Sequence, residues 1–167
     1  SRERPRNSYS YFYCFNFDPQ FDAEYEPDNW RKAVNNENFR KALSSALNKT
    51  KEVVVLEPNV PEDYVINTIT PAKFTFNADG TDFTEIAALG DTFNEAKAVE
   101  YRDLAKSELA AEGVTFPVKV LLPYNPTEVN WDKECQVVEQ QMESLLGTDF
   151  IDIIVQTGPT DGFLTEI

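Results

Sequence analysis

The sequence predicts an α/β (α+β) domain with a mixed, partly parallel sheet flanked by helices. Three observations predict it. Residues 116–122, 130–146 and 150–155 read as strand, helix and strand, a βαβ unit whose crossover places its strands parallel. Residues 36–48 and the stretch after Thr92 carry helical apolar periodicity. The chain is 167 residues long, 41% hydrophobic and 26% charged, a profile that folds around one core. A single domain over residues 1–167 is expected.

The elements follow in order. Residues 9–17 are aromatic, free of Gly and Pro, and closed by Asp18-Pro19, which predicts a strand and a turn. Residues 20–29 have no sustained period and predict a surface loop leading to Trp30. Phe39, Ala42, Leu43, Ala46 and Leu47 then mark one face of an amphipathic helix, with Asn36 or Asn38 as its cap. Residues 51–56 are readable as a strand through Val53-Val54-Val55 or as a short helix capped by Thr50; the helix is preferred.

Residues 57–90 hold Pro58, Pro61, Pro71, Gly80 and Gly90, and predict a long irregular excursion with a turn at Asp79-Gly80. A loop of that length inside a domain is usually functional or packed on something else. Thr92 with Glu95 has the form of a capping box for a helix whose face carries Tyr101, Leu104, Ala105 and Leu109, ended by Gly113. In the βαβ unit, Trp131, Cys135, Val138, Met142 and Leu145 form the helix stripe and Gly147 ends it.

Charge and composition exclude several functions. Fifteen Lys+Arg against twenty-nine Asp+Glu give a net charge of −14, which repels phosphate backbones and argues against a nucleic-acid partner. The chain has no histidine, which removes the commonest general base and every histidine-based triad or metal site. No GxSxG, GxGxxG or P-loop motif occurs, and a calcium loop from Asn77 fails because Asp82 stands where Gly is required. The acids form no distinctive catalytic pair and read as solvated. No catalytic residue, metal site or cofactor is expected. Cys14 and Cys135 read as two buried free thiols, with a disulfide as the alternative. No stretch approaches the ~18 consecutive apolar residues of a membrane helix.

Two groups of residues remain as candidates for binding. Residues 9–17 place Tyr11 and Tyr13 on one face and Phe12 and Asn16 on the other, and a strand with aromatics on both faces is buried on both sides or lines a cleft. Tyr124 and Asn125, with Asn130 and Trp131, link the carboxyl end of a strand to a helix N-terminus, the edge where ligands gather in open α/β sheets. Such an N-terminus favours an anion such as a peptide carboxylate. Both groups also have structural readings, Tyr124-Asn125-Pro126 as a turn and Trp131 as the start of a core stripe.

Taken in order, Tyr11-Phe12-Tyr13-Cys14-Phe15-Asn16, then Asn38-Phe39-Arg40-Lys41-Ala42-Leu43-Ser44 with Ala46-Leu47-Asn48-Lys49, then Pro117 through Asn125 and the later Leu146-Gly147, resemble the oligopeptide/dipeptide-binding family of ABC-transporter solute-binding proteins. The chain departs from that family at Asn48-Lys49, where Asp-Arg is usual, and over residues 58–90. The resemblance implies a periplasmic-binding-protein-like fold in which this region is most of the second, C-terminal lobe, closing on a peptide by hinge motion. It places Tyr11, Tyr13 and Asn16 near hinge and cleft, and Asn130 or Trp131 near the peptide's carboxyl end. It implies a peptide ligand, permease subunits and the remaining lobe as partners, and an extracytoplasmic location, periplasmic or as a cell-surface lipoprotein. The chain starts at Ser1 and residues 161–167 read as the opening of an element, so an incomplete fragment is expected. The alternatives are a surface interaction or adhesion domain, an enzyme using acidic catalysis, or a receptor of the same family for a nickel complex or a sugar.

Overall fold

A computed structural model describes residues 11–87 and 90–162, and among them the chain forms six α-helices and two β-strands. The first helix, α1 (Pro27–Asn35), begins where a loop is predicted. Pro27 occupies its opening turn, where the missing N–H costs nothing, and Trp30, Ala33 and Val34 supply a buried i, i+3, i+4 stripe. The charges of residues 22–28 mask that short stripe in the sequence. A 3₁₀ turn (Ala23–Tyr25) precedes the helix.

Asn36 separates α1 from α2 (Glu37–Ala46), and its Oδ1 accepts the Phe39 amide at 2.8 Å. Phe39, Ala42, Leu43 and Ala46 are buried as the periodicity predicts. The helical reading of the next segment holds in α3 (Lys49–Val53), but the cap is Asn48, whose Oδ1 accepts the Lys51 amide at 3.0 Å, rather than Thr50.

The excursion contains a 3₁₀ turn (Pro61–Asp63) and one short helical turn, α4 (Phe83–Ile86). An antiparallel bridge between Phe76 and Asp82 closes the turn at Asp79-Gly80, where Gly80 takes φ 87°. That turn is where the sequence places it.

The long helix α5 (Glu95–Ala111) packs along α2. Its cap is Asn94, accepting from the Lys97 amide at 2.9 Å, and not Thr92; the Asn94 amide in turn donates to the Ser45 carbonyl at 2.9 Å, fastening the start of α5 to the end of α2. The buried positions are Ala98, Ala105 and Leu109, while Leu104 is 46% exposed. Leu104 lies one residue, or about 100°, away from the stripe that faces α2. Gly113 follows at φ 76° as predicted.

The βαβ unit is present with shifted edges: β1 (Val118–Tyr124), α6 (Trp131–Leu146) and β2 (Ile151–Thr157). The strands pair in parallel, with Val118 opposite Ile151 and Tyr124 opposite Thr157. Helix α6 packs on β2, burying Cys135, Val138, Met142 and Leu146. Its Glu143 Oε1 also accepts the Ile153 backbone amide at 2.7 Å, occupying one donor of β2.

The core is a chain of aromatic contacts within an aliphatic cluster. The Phe39 ring lies 6.0 Å from Trp30 and 5.7 Å from Phe150, and Phe150 stacks on Phe116 at 5.8 Å. Phe39 and Phe150 have no exposed surface. Turn and core meet at Gly147, which has φ 93° and would place an added Cβ 2.5 Å from Asp149 Oδ1, the residue paired with Lys106 on α5. Gly147→Ala is therefore expected to destabilise the protein by roughly 1–3 kcal/mol in urea denaturation, through left-handed strain and loss of that ion-pair geometry. An unchanged midpoint would refute this.

The strand predicted for residues 9–17 is not formed over residues 11–17, and residues 9 and 10 lie outside the described residues. Tyr11, Phe12, Tyr13 and Phe17 are 68%, 66%, 48% and 49% exposed. Strand propensity expresses packing between neighbours, and no strand within the described residues pairs with this one. Cys14 is correspondingly exposed, correcting its reading as buried, whereas Cys135 is buried; both thiols are free. Among the described residues no helix is long and apolar enough to cross a membrane.

Candidate functional site

Residues 11–17 have few anchors. The Asn16 carbonyl accepts the Trp30 indole N–H at 2.8 Å, tying the segment to α1, and Asn16 Oδ1 caps the following turn through the Asp18 amide at 3.0 Å. Tyr13 donates its hydroxyl to Glu52 Oε1 on α3 at 2.5 Å. Tyr11 meets Trp131 edge to face, with ring centroids 5.5 Å apart. The segment thereby touches α1, α3 and the first turn of α6.

The sequence-predicted residues fall into three places. Tyr11, Tyr13 and Trp131 come together, with Asn130 beside them as the residue that opens α6. Asn130 adopts φ 68°, and its Oδ1 accepts from Lys133 Nζ at 3.1 Å instead of capping the helix. Tyr124 and Asn125 lie at the carboxyl end of the sheet: the Tyr124 hydroxyl is 3.0 Å from Thr157 Oγ1, and Asn125 Oδ1 accepts the Thr127 amide and hydroxyl at 3.0 and 2.8 Å. Asn16 stands apart, committed to its own turn. The opening of α6 carries Asp132 and Glu134, so two acids already face the helix dipole that would favour an anion.

Two residues that the sequence reading treats as solvated acids are central. Glu52 is only 7% exposed, and Glu134, in the first turn of α6, acts on it. Burial pushes the Glu134 carboxyl up to about 8, reinforced by the hydrogen bond and charge of Glu52. Burial also raises Glu52, against which Tyr13, Glu134 and Lys49 act. The Tyr13 phenol is held far above its ordinary range by burial first and then by the charge and hydrogen bond of Glu52; although the residue is half exposed, its hydroxyl end points into the protein. The Cys135 thiol is pushed up to about 12 by burial, then by Glu134, Glu52 and Asp132. A sequence signal did exist: Glu52 adjoins Val53-Val54-Val55, and Glu134 sits between Trp131 and Cys135 of the apolar stripe.

This cluster does not suit glycoside hydrolysis. Two carboxyl groups that act on one another this closely leave no room for the scissile bond that glycoside hydrolysis places between acids about 5–9.5 Å apart. What the surface offers instead is aromatic faces and amides. A depression of about 180 Å³ is lined by Phe12, Lys49, Asn67, Ile69 and Thr92, and a wider groove of about 530 Å³ by Phe15, Phe17, Arg40, Ser44 and Tyr101. Residues 11–17 contribute aromatic rings to both.

Similar proteins point in the same direction. The chain is 28% identical to the oligopeptide-binding protein SarA of Streptococcus gordonii over 96% of its length, and 27% identical to AliB of Streptococcus pneumoniae over 95%. Its curated relatives are oligopeptide-binding proteins. The chain spans only 28% of the length of SarA and of AliB. No protein-family model matches it. Among solved structures, Listeria monocytogenes OppA bound to peptide superimposes with a TM-score of 0.64 at 20% identity, covering 80% of this chain and 25% of that one. The pheromone receptor PrgZ, solved for its mode of peptide binding, gives 0.58 at 23% identity over the same shares. The fold is thus that of part of the OppA and PrgZ structures, mixed helix and strand as the sequence predicts.

Proposed function

We propose that the chain is most of the second lobe of a solute-binding protein that captures peptides between two lobes and delivers them to the permease of an ABC importer. The observation that carries this reading is near end-to-end similarity to oligopeptide-binding proteins across 96% of the chain. An aromatic segment with four half-exposed or exposed rings supports it, because such rings suit a surface completed by a ligand and by the rest of the protein. Tyr11, Tyr13, Asn16, Tyr124, Asn125, Asn130 and Trp131 are the proposed contacts to peptide or to the hinge around it. The whole protein works outside the cytoplasm, periplasmic or as a surface lipoprotein, and carries out no chemistry on its ligand.

Calorimetry of the full-length protein against a peptide library tests the assignment: binding of at least one peptide class is expected. No heat from any peptide at millimolar concentration would remove the ligand and leave the fold. In a protein that does bind, Trp131→Ala is expected to weaken affinity by about tenfold or more, the loss that follows truncation of a central aromatic contact.

A further inference from the structure

We infer that the smaller depression beside residues 11–17 is a side-chain subsite for an acidic residue of a bound peptide, with Lys49 meeting its carboxylate and Phe12 and Ile69 flanking its stem. The subsite rests on the peptide-receptor reading above and adds to it one kind of side chain that is selected.

Size and lining set what can enter. The depression, about 180 Å³, falls below the roughly 300–1,000 Å³ of pockets that enclose a whole small molecule, so it suits one side chain of a longer ligand. Phe12 and Ile69 on its lining are 66% and 74% exposed, apolar surface that an aliphatic stem removes from water. The wall carrying Ile66 and Ile69 belongs to the irregular excursion over residues 57–90, a stretch of the length that within a domain is usually functional.

Lys49 decides the polarity of the ligand. Its half-buried Nζ donates to Asn67 Oδ1 at 2.9 Å, which uses one of the three donors of an ammonium. Lys41, Lys97, Lys106 and Lys119 each sit on a carboxylate, whereas Lys49 enters none of the ion pairs among the described residues. Its charge favours the ionised form of the buried Glu52, after the hydrogen bond from Tyr13, but through space and without using a donor. A ligand carboxylate at Nζ therefore gains a charge-assisted bond, roughly twice as strong as the one a neutral amide of the same shape accepts. The chain's net charge of −14 repels acids at long range, so an acidic side chain gains only where a local cation meets it.

Calorimetry of the full-length protein with alanine-based peptides, carrying Glu or in its place Gln at each position in turn, tests the subsite. At one position Glu is expected to bind about tenfold more tightly than Gln. Lys49→Gln keeps an amide donor for Asn67 and removes the charge, so it should erase that preference while leaving affinity for the Gln peptide near that of the parent. If Lys49 serves only to brace residues 66–69, Glu and Gln peptides bind alike in the parent, which overturns the subsite and leaves the peptide-receptor reading standing. A preference for Glu that survives in Lys49→Gln overturns it as well. A loss in Lys49→Gln that is shared by every free-acid peptide and disappears for C-terminal amides moves the carboxylate to the chain end and overturns the side-chain assignment. Should Lys49→Gln fail to fold, Ile69→Glu, at an exposed position, brings a carboxylate of the chain itself to the same depression; an unchanged preference for Glu in that variant counts equally against the subsite. The absence of binding by any peptide removes the receptor reading and the subsite together.

Discussion

Phe39→Ala is expected to lower unfolding free energy by about 3–5 kcal/mol, measured by urea denaturation of the full-length protein. The Phe39 ring has no exposed surface and is the link between Trp30 on α1 and Phe150 just before β2. Truncation removes its transfer free energy and leaves a cavity that rigid aromatic neighbours cannot close. Phe39→Leu, which retains most of the volume, should cost less than half as much. A loss below about 1 kcal/mol for the alanine variant would mean that α1 and α2 repack freely, and would refute the aromatic chain as the core's organising contact.

Ile151→Asp is expected to be worse. Ile151 is fully buried, pairs with equally buried Val118 across the parallel ladder, and lies in the apolar cluster under α6. An ionised carboxylate there has no water, so the group must either fold protonated or keep the strand pair apart. The cost exceeds about 4 kcal/mol, a large fraction of the roughly 5–15 kcal/mol that stabilises a typical domain. Loss of the cooperative unfolding transition of this region is the expected result, with partial recovery below pH 4, where the carboxyl is neutral. A folded, cooperative variant at pH 7 would contradict the assignment of this rung to the core.

The parts legible in the sequence are those in which a residue's neighbours are close along the chain. Phe39, Ala42, Leu43 and Ala46 announce α2 because a helix buries the face that its own period creates. Gly113 and Gly147 announce helix ends because both turns need positive φ. The βαβ unit was legible as a pattern although its strand edges moved, since backbone pairing extends β1 through Pro123 and Tyr124 until partners run out. Residues 11–17 were misread for the converse reason: their strand signal presumes partners that sequence periodicity cannot supply. The same limit hid Glu52. Nothing in residues 49–53 reveals that Tyr13 and Glu134 will converge on that carboxyl, because each comes from its own region of the fold; Lys49 alone is a neighbour on the same helix. The candidate residues were found as types suited to contact, but only Tyr11, Tyr13 and Trp131 are drawn into one place.

The bond from the Ile153 amide to Glu143 bears on how the protein stays clear of its own copies. Among the described residues the parallel sheet has two strands and so two flanks, and a free amide on a flank invites recruitment of a foreign strand, the first step towards fibrous aggregates. Here a carboxylate reaching over from α6 already occupies one such donor at 2.7 Å and sets a negative charge beside it. An invading backbone would have to displace a charged acceptor and then leave that charge unpaired. Helix α6 therefore does more than cover the sheet: at that rung its carboxylate already fills the donor that a foreign strand would need.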